Sequence, residues 1–300
     1  MAVPRRETLQ FRIEHWLFRA YVDHYARMPL DEASDAGARF GALIGPMTPT
    51  HGVARRNIAL AFPALDRAGQ DAILKGMWDN LGRLAGEFPH LHRFNTTGDD
   101  PRITLINGEK LDAVRESGKG AVFISGHFAN WELMPATIAQ RGVVCKMTYR
   151  AANNPFIDDY ILQTRFSYGA NLQAAKGAEG GVGLLRALAK GESIALMNDQ
   201  KYNQGLSVPF FGHKAMTADG PSRMALRYDV PLIPMSVKRK GGARFEIVVH
   251  DPLPLRRELP LAEAVEDGVR QVNAFLEARV REAPEQWFWV HKRWPKEAWE

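Results

Sequence analysis

The chain has 300 residues, 45% hydrophobic and 24% charged, which is ordinary for a globular protein and suits one large domain or two modest ones. A single cysteine, Cys145, excludes an internal disulfide framework and a cysteine-rich zinc site. The net charge of +5 is mild, and no DNA- or RNA-binding signature accompanies it, so nucleic acid is not an expected partner.

The first hundred residues read as helical, over about 8–28, 31–45, 51–61 and 65–86, with breaks at Pro29, Pro46, Pro49 and Pro63. The first of these mixes Phe11, Trp16, Phe18 and Tyr21 with Arg5, Arg6, Arg12 and Arg19. Aromatic rings beside arginines suit a lipid–water interface, so this helix is expected to lie on a membrane surface. The competing expectation is a helix packed on the core. No run of eighteen apolar residues predicts a membrane span, and residues 1–30 show no secretory signal.

Beyond residue 100 the pattern changes. Strand-like runs at 103–106, 121–125, 143–149, 193–197, 232–237 and 245–249 alternate with helix-like ones ending at 117 and spanning 131–140, 155–167, 181–190, 222–228 and 261–283. This alternation predicts an α/β fold: a mixed, largely parallel sheet flanked by helices, with a helical N-terminal appendage. Residues 1–100 form the helical, membrane-facing region and 101–300 the core, in one continuous domain. Cys145 falls in an apolar run and is expected to be buried. In the last helix Val265, Val269, Val272, Leu276 and Val280 step by four and three, giving one buried stripe that Pro284 ends.

The most informative segment is Gly126-His127-Phe128-Ala129-Asn130-Trp131-Glu132, between the strand at 121–125 and the following helix. A histidine at such a junction can take a proton from a hydroxyl near neutral pH, and a carboxylate can orient it. Five residues on one helix turn through about 140°, so His127 and Glu132 converge only if His127 precedes the helix and Glu132 lies in its first turn. Asn130 as the N-cap fits that geometry. Two further strands end in Tyr149-Arg150 and Asn198-Asp199-Gln200, at the same expected sheet edge. Arg150 can clamp a phosphate or an oxyanion, and Asp199 can hold Arg150 or an acceptor hydroxyl. Val208-Pro209-Phe210-Phe211-Gly212 reads as a stiff apolar loop, lining a tunnel or packing on the core, and Thr217 as a helix cap or substrate donor. Between Lys201 and Arg244 Lys/Arg exceed Asp/Glu by six, a surface suited to phosphates, anionic lipid or an acidic carrier. The glycines at 177–183 do not fit a P-loop or G-x-G-x-x-G, and zinc-peptidase and serine-hydrolase motifs are absent. No cofactor and no metal are therefore expected.

Together these residues resemble a known family. Residues 126–132 are similar to its G-H-x-G-N-W-E, with Ala129 where glycine is usual. The resemblance continues through Arg55-Arg56-Asn57 to Phe62-Pro63, Tyr149-Arg150, Asp199-Gln200, residues 208–212, Ala215-Met216-Thr217, and the tail Pro284-Glu285-Gln286-Trp287-Phe288-Trp289-Val290-His291-Lys292-Arg293-Trp294. These landmarks are those of the lipid A biosynthesis late acyltransferases (lauroyl/myristoyl type), over roughly residues 10–294. The resemblance implies a membrane-bound or peripheral enzyme on the cytoplasmic face of the Gram-negative inner membrane. It would move a fatty acyl group from acyl carrier protein to a hydroxyl of a Kdo-bearing lipid A precursor. Two departures stand out. Charges interrupt the usual N-terminal apolar helix, and the stretch Lys201-Tyr202-Asn203-Gln204-Gly205 lacks an acid that many relatives carry.

The mechanism expected from these residues has His127 as general base, Glu132 orienting it, and direct attack of the hydroxyl on the thioester without an acyl-enzyme. Arg150, Asp199, Gln200, Thr217 and Asn130 would bind substrate, and Val208, Phe210 and Phe211 would hold the acyl chain. Arg55, Arg56, Lys292 and Arg293 are candidates to receive the carrier protein or lipid phosphates. The alternatives are an acyltransferase of another glycolipid or phospholipid, such as a phosphatidylinositol mannoside, using acyl-CoA; a non-catalytic lipid-binding protein at a membrane surface; and a metal-dependent hydrolase.

Overall fold

Caps and prolines set the limits of the N-terminal helices. In the computed structural model, which describes residues 8–149, 151–174 and 177–299, α1 (Leu9–Ala26) is capped by the Thr8 hydroxyl accepting from Phe11 N. α2 (Leu30–Ile44) follows Pro29 and ends in a 3₁₀ turn containing Pro46. α3 (Pro49–Ala61) opens on Pro49, where a missing N–H costs nothing. α4 (Arg67–Glu87) is capped by Asp66, whose carboxylate accepts from Gly69 N at 2.8 Å.

The rest alternates as expected: β1 (Ile103–Ile106), α5 (Glu109–Ser117), β2 (Val122–Ser125), α6 (Leu133–Gln140), β3 (Cys145–Tyr149), α7 (Pro155–Ser167), β4 (Asn171–Ala174), α8 (Gly177–Ala189) and β5 (Ser193–Met197). Then come β6 (Leu206–Phe210), β7 (His213–Thr217), α9 (Gly220–Arg227), β8 (Leu232–Gly241), β9 (Arg244–Val249) and α10 (Leu261–Glu282). Seven strands form one sheet in the order β1-β9-β8-β2-β5-β3-β4, all parallel neighbours except the β8–β9 hairpin. Central β2 is buried along its whole length, which is why it reads as an unbroken apolar run rather than an alternating one. Cys145 is buried in β3, and burial pushes its thiol pKa up. The α10 stripe is buried as its spacing predicts.

One strand, β4, has no counterpart in the sequence reading, and one expectation needs correction. Residues 208–212 are not a loop: β6 and β7 pair as a separate two-stranded hairpin with Phe210 opposite His213. The intervening Phe211 and Gly212 both take positive φ, 52° and 77°, as a tight hairpin turn requires. Pro209 is tolerated because this small sheet has only edges.

The N-terminal helices are bound closely to one another and to the core. α2 and α4 touch backbone to backbone: a Cβ on Gly37 would collide with Gly82 O, and one on Gly82 with Gly37 O. Glu87, at the end of α4 and fully buried, pairs with Arg239 of β8 and accepts from Ser34 Oγ at 2.7 Å. Asn80 of α4 accepts from Arg239 Nε at 3.0 Å. α1 turns Phe18 against Tyr160 of α7, with Tyr21 beside Tyr25, while Leu9, Ile13, Trp16 and Leu17 stay exposed. Arg5 and Arg6 lie outside the described residues. Among the described residues no helix is long and apolar enough to cross a membrane.

Most of the basic excess at 201–244 is neutralised from elsewhere in the chain. Lys238, Arg239, Lys240 and Arg244 pair with Glu282, Glu87, Glu246 and Asp100 from outside the segment, and Arg223 pairs with Asp219 within it. The charge run is therefore largely a set of internal ion pairs rather than a continuous cationic surface.

Replacing Glu87 by Ala should lower the unfolding free energy by about 3–5 kcal/mol, because Arg239 would stay buried without its anion. Urea unfolding measures this; a loss below about 1 kcal/mol, the worth of an exposed pair, would show that water reaches Arg239.

Candidate active site

Strand register brings the chemistry together. β2 and β5 are parallel neighbours with Ser125 opposite Met197, and Asn198 N donates to Ser125 O at 2.8 Å. Two residues past each strand end stand His127 and Asp199. His127 Nδ1 lies 2.7 Å from Asp199 Oδ1, and His127 N donates to Asp199 Oδ2 at 2.7 Å. Trp287 Nε1 donates to the same Oδ2 at 2.8 Å. Asp199 is only 2% exposed, so these donors replace the water it has lost.

Electrostatics fix the roles of the two ring nitrogens. Burial disfavours the ionised form of both partners, but each holds the other charged. The charge and hydrogen bond of Asp199, helped by the charge of Glu132, raise the His127 pKa above its ordinary value despite burial. Burial raises the Asp199 pKa, but His127 and the Trp287 N–H outweigh it and pull it down to about 2. An ionised carboxylate only accepts, so His127 Nδ1 carries the proton that binds it, and in the neutral ring Nε2 is the basic atom.

The loop that carries His127 is clamped by the C-terminal tail. Ala129 N donates to Gln286 O at 2.7 Å and Phe288 N to His127 O at 3.2 Å, and Phe128 bridges Trp287 in antiparallel fashion. Ala129 adopts φ 44°, the left-handed region, which accounts physically for a glycine usually standing at this point of the motif. Asn57 of α3 holds the tail in turn, donating from Nδ2 to Trp289 O and His291 O, both at 2.7 Å.

His127, with Asp199 buried behind it, opens on a cavity of about 730 Å³, a volume typical of a small-molecule site. Apolar walls come from the sheet and α6, including Phe123, Met134, Ile138, Met147 and Leu196. Polar lining comes from His127, Gln200, Lys201, Tyr202 and His291 on one set of loops, and from Glu132, Arg165 and Tyr168 on another.

Several expected site residues sit elsewhere. His127 does precede α6, but Glu132 stands at the N-cap of that helix rather than inside its first turn, and although it lines the cavity its carboxylate is taken by Arg165, at 2.8 Å from Nε and 2.5 Å from Nη2, and by the Tyr168 hydroxyl at 3.1 Å. Asp199, not Glu132, is thus the hydrogen-bond partner that orients His127, and its oxygens are not spent on an arginine. Asn130 is not a side-chain cap: it is buried, and its Nδ2 donates to Glu87 Oε2 at 2.9 Å. Thr217 is fully buried, accepting from Arg293 Nη2 at 2.7 Å, and lies outside the cavity lining. Val208 packs on Val265 and Val269; Phe210 and Phe211 pack among Trp287, Trp289 and Trp294. None of the three lines the cavity. Arg293 is buried and Arg55 pairs with Asp71. Arg150 lies outside the described residues. Sequence reading missed Arg165 and Tyr168, for which no local pattern exists, and the individual roles of Trp287 and His291, whose only signal was membership of the tail. Among the described residues no cluster of His, Cys, Asp and Glu could hold a metal.

Comparison with known proteins places the chain. The family described as bacterial lipid A biosynthesis acyltransferase matches residues 4–296. The chain is 23% identical over 279 residues to a lipid A biosynthesis palmitoleoyltransferase of Escherichia coli K12, covering 90% of this chain and 87% of that protein. It is 25% identical over 255 residues to the lipid A biosynthesis lauroyltransferase of the same bacterium, covering 80% and 78%. It is also 25% identical over 208 residues to a phosphatidylinositol mannoside acyltransferase of Mycobacterium tuberculosis, covering 67% and 64%. Among solved structures, the 1-acyl-sn-glycerophosphate acyltransferase PlsC of Thermotoga maritima aligns over 82% of this chain and 95% of its own at 14% identity, with a TM-score of 0.35.

The His127 imidazole should titrate above 6.5 in the folded protein, and lower once Asp199→Asn removes the larger of its two anionic neighbours, leaving burial and the charge of Arg165 opposed by Glu132 alone. The stabilisation from His127 is complete below 6.5 and is lost as pH rises through its folded pKa; that from Asp199 is complete above 3.8 and is lost as pH falls towards 2. The pair should thus stabilise most between those limits. NMR titration of the ring protons checks this, and a wild-type value under 6.5 would overturn it.

Proposed function

The chain belongs to the bacterial lipid A biosynthesis acyltransferase family, and we propose that it transfers a fatty acyl chain to a hydroxyl of a lipid A precursor. The observation that carries this reading is His127, held by Asp199, opening on a cavity with both apolar and polar walls. An acyl donor needs the first kind of wall and the reacting groups the second.

In this reading His127 Nε2 takes the proton of the acceptor hydroxyl as its oxygen adds to the thioester carbon. Asp199 holds the ring and stabilises the imidazolium. Collapse of the adduct breaks the C–S bond, and His127 returns the proton to the departing thiolate. No acyl-enzyme forms. Glu132, fixed by Arg165 and Tyr168, adds a second negative charge that favours protonated His127. The acyl chain lies along the Phe123, Met134, Ile138 and Met147 walls, with Gln200 beside the reacting groups.

The donor is acyl carrier protein thioester and the acceptor carries Kdo, at the cytoplasmic face of the inner membrane. Residues 1–100 are the membrane-facing layer of one continuous unit with the core at 101–300, presenting Leu9, Ile13, Trp16 and Leu17 to lipid. The similarity to a phosphatidylinositol mannoside acyltransferase favours a second reading, with another glycolipid as acceptor and acyl-CoA as donor.

Mass spectrometry of a Kdo-modified lipid A precursor, incubated with the protein and a panel of acyl carrier protein thioesters, should show the gain of one acyl chain. His127→Ala should lose about 10²- to 10⁴-fold in rate. No gain with any donor, from folded protein, would sink the lipid A reading, and a gain on a mannoside from acyl-CoA would establish the second.

A further inference from the structure

His291 lines the same cavity as His127, and nothing in the mechanism above uses it. Its chemistry is set by one bond: Lys201 N donates to His291 Nε2 at 3.0 Å. A backbone N–H cannot accept, so Nε2 carries no proton, and a neutral ring must carry its proton on Nδ1. No acceptor for that Nδ1–H exists among the described residues. The backbone that carries the ring is fixed, because the carbonyl of the same residue accepts from Asn57 Nδ2 at 2.7 Å and from Arg293 N at 2.9 Å, and the Lys201 bond sets the ring on it. The charged and titratable groups acting on it are Asp199, Arg293, His127 and Lys201. Burial, with the cations among these, lowers its pKa against the opposing pull of Asp199 and keeps the ring neutral.

The site therefore holds two imidazoles of opposite character. One is oriented as a base, with Nδ1 on a carboxylate. The other is oriented as a donor, with Nε2 on a backbone N–H. We propose that His291 is a second catalytic residue, its Nδ1–H donating to the thioester carbonyl oxygen as that oxygen becomes an alkoxide. This rests on the acyl-transfer reading. As the acceptor oxygen adds and its proton passes to His127 Nε2, the carbonyl electron pair moves onto the oxygen that His291 binds. The pair returns when the C–S bond breaks and His127 protonates the thiolate. A neutral imidazole suits this role because it lends a hydrogen bond without adding a second cation beside the His127 imidazolium. A donor fixed in place before the reaction costs no reorganisation as charge develops.

The first test needs neither substrate nor variant. ¹⁵N NMR of histidine-labelled protein should show His291 neutral and protonated on Nδ1 at neutral pH; an Nε2-protonated ring or an imidazolium would overturn the proposal. In turnover, His291→Ala should lower kcat by about 10²- to 10³-fold. His291→Gln, which restores an N–H, should recover part of that loss, and the His127 titration should keep its wild-type position in both. A purely structural role would instead show as a lower melting temperature or a displaced His127 titration, with no rescue by Gln. Infrared spectra of a ¹³C=O acyl thioester bound to His127→Ala protein should show a carbonyl stretch that moves up in frequency when His291→Ala is added. If the wild-type protein transfers no acyl group, the acyl-transfer reading falls. If it is active and folded His291→Ala matches it in kcat, only the role of His291 falls.

Discussion

Asp199 is a carboxylate with almost no access to water, and the surroundings of the site are arranged around keeping it charged. A buried anion persists only if donors replace its hydration. Here those donors come from three groups: the imidazole and backbone of His127, and the indole of Trp287, all far from Asp199 in the sequence. Each donor has a structural requirement behind it. The first two need β2 and β5 adjacent and in register, so that residues two past each strand end meet. The third needs the tail folded back along the His127 loop.

The tail in turn needs the N-terminal helices. Asn57 of α3 takes two tail carbonyls, while Asn80 of α4 donates to Ala129 O at 3.2 Å on the loop itself. Glu87, at the end of α4, receives both Asn130 from the loop and Arg239 from β8. The helices that read as an appendage are thus the floor on which the His127 loop rests. The Gly37–Gly82 approach lets α2 sit close enough for Ser34 to join the same buried network. Such a network is rigid because every member depends on the others for its missing water.

Much of the fold is legible in the sequence because it rests on local rules. Prolines and caps place α2, α3 and α4; apolar runs between glycine-rich turns place β1, β2 and β5; a four-three spacing places the buried face of α10. The errors share one origin. Val208, Phe210 and Phe211 read as a loop that lines a tunnel or packs on the core, because a proline suggests irregular chain and apolar rings suit either place. Apolar character says that a side chain is buried, not against what, and these rings found Trp287, Trp289 and Trp294 instead of a substrate channel. β4 escapes notice because Asn171-Leu172-Gln173-Ala174 is neither long nor strongly apolar, and only its neighbour β3 makes it a strand.

The sequence by itself determined that His127 stands at a strand end before a helix, that Asp199 stands at another, and that the chain carries the motifs of an acyltransferase family. These are one-dimensional facts, carried by residue type and spacing. Which carboxylate holds His127 was decided only in three dimensions. Glu132 is five residues away and Asp199 seventy-two, yet strand register brings Asp199 to 2.7 Å while Arg165 and Tyr168, from α7 and the turn after it, claim Glu132. Sequence distance measures the chain entropy of bringing two groups together. Once the sheet has formed that cost is already met, and the partner is whichever group the fold leaves closest and least hydrated.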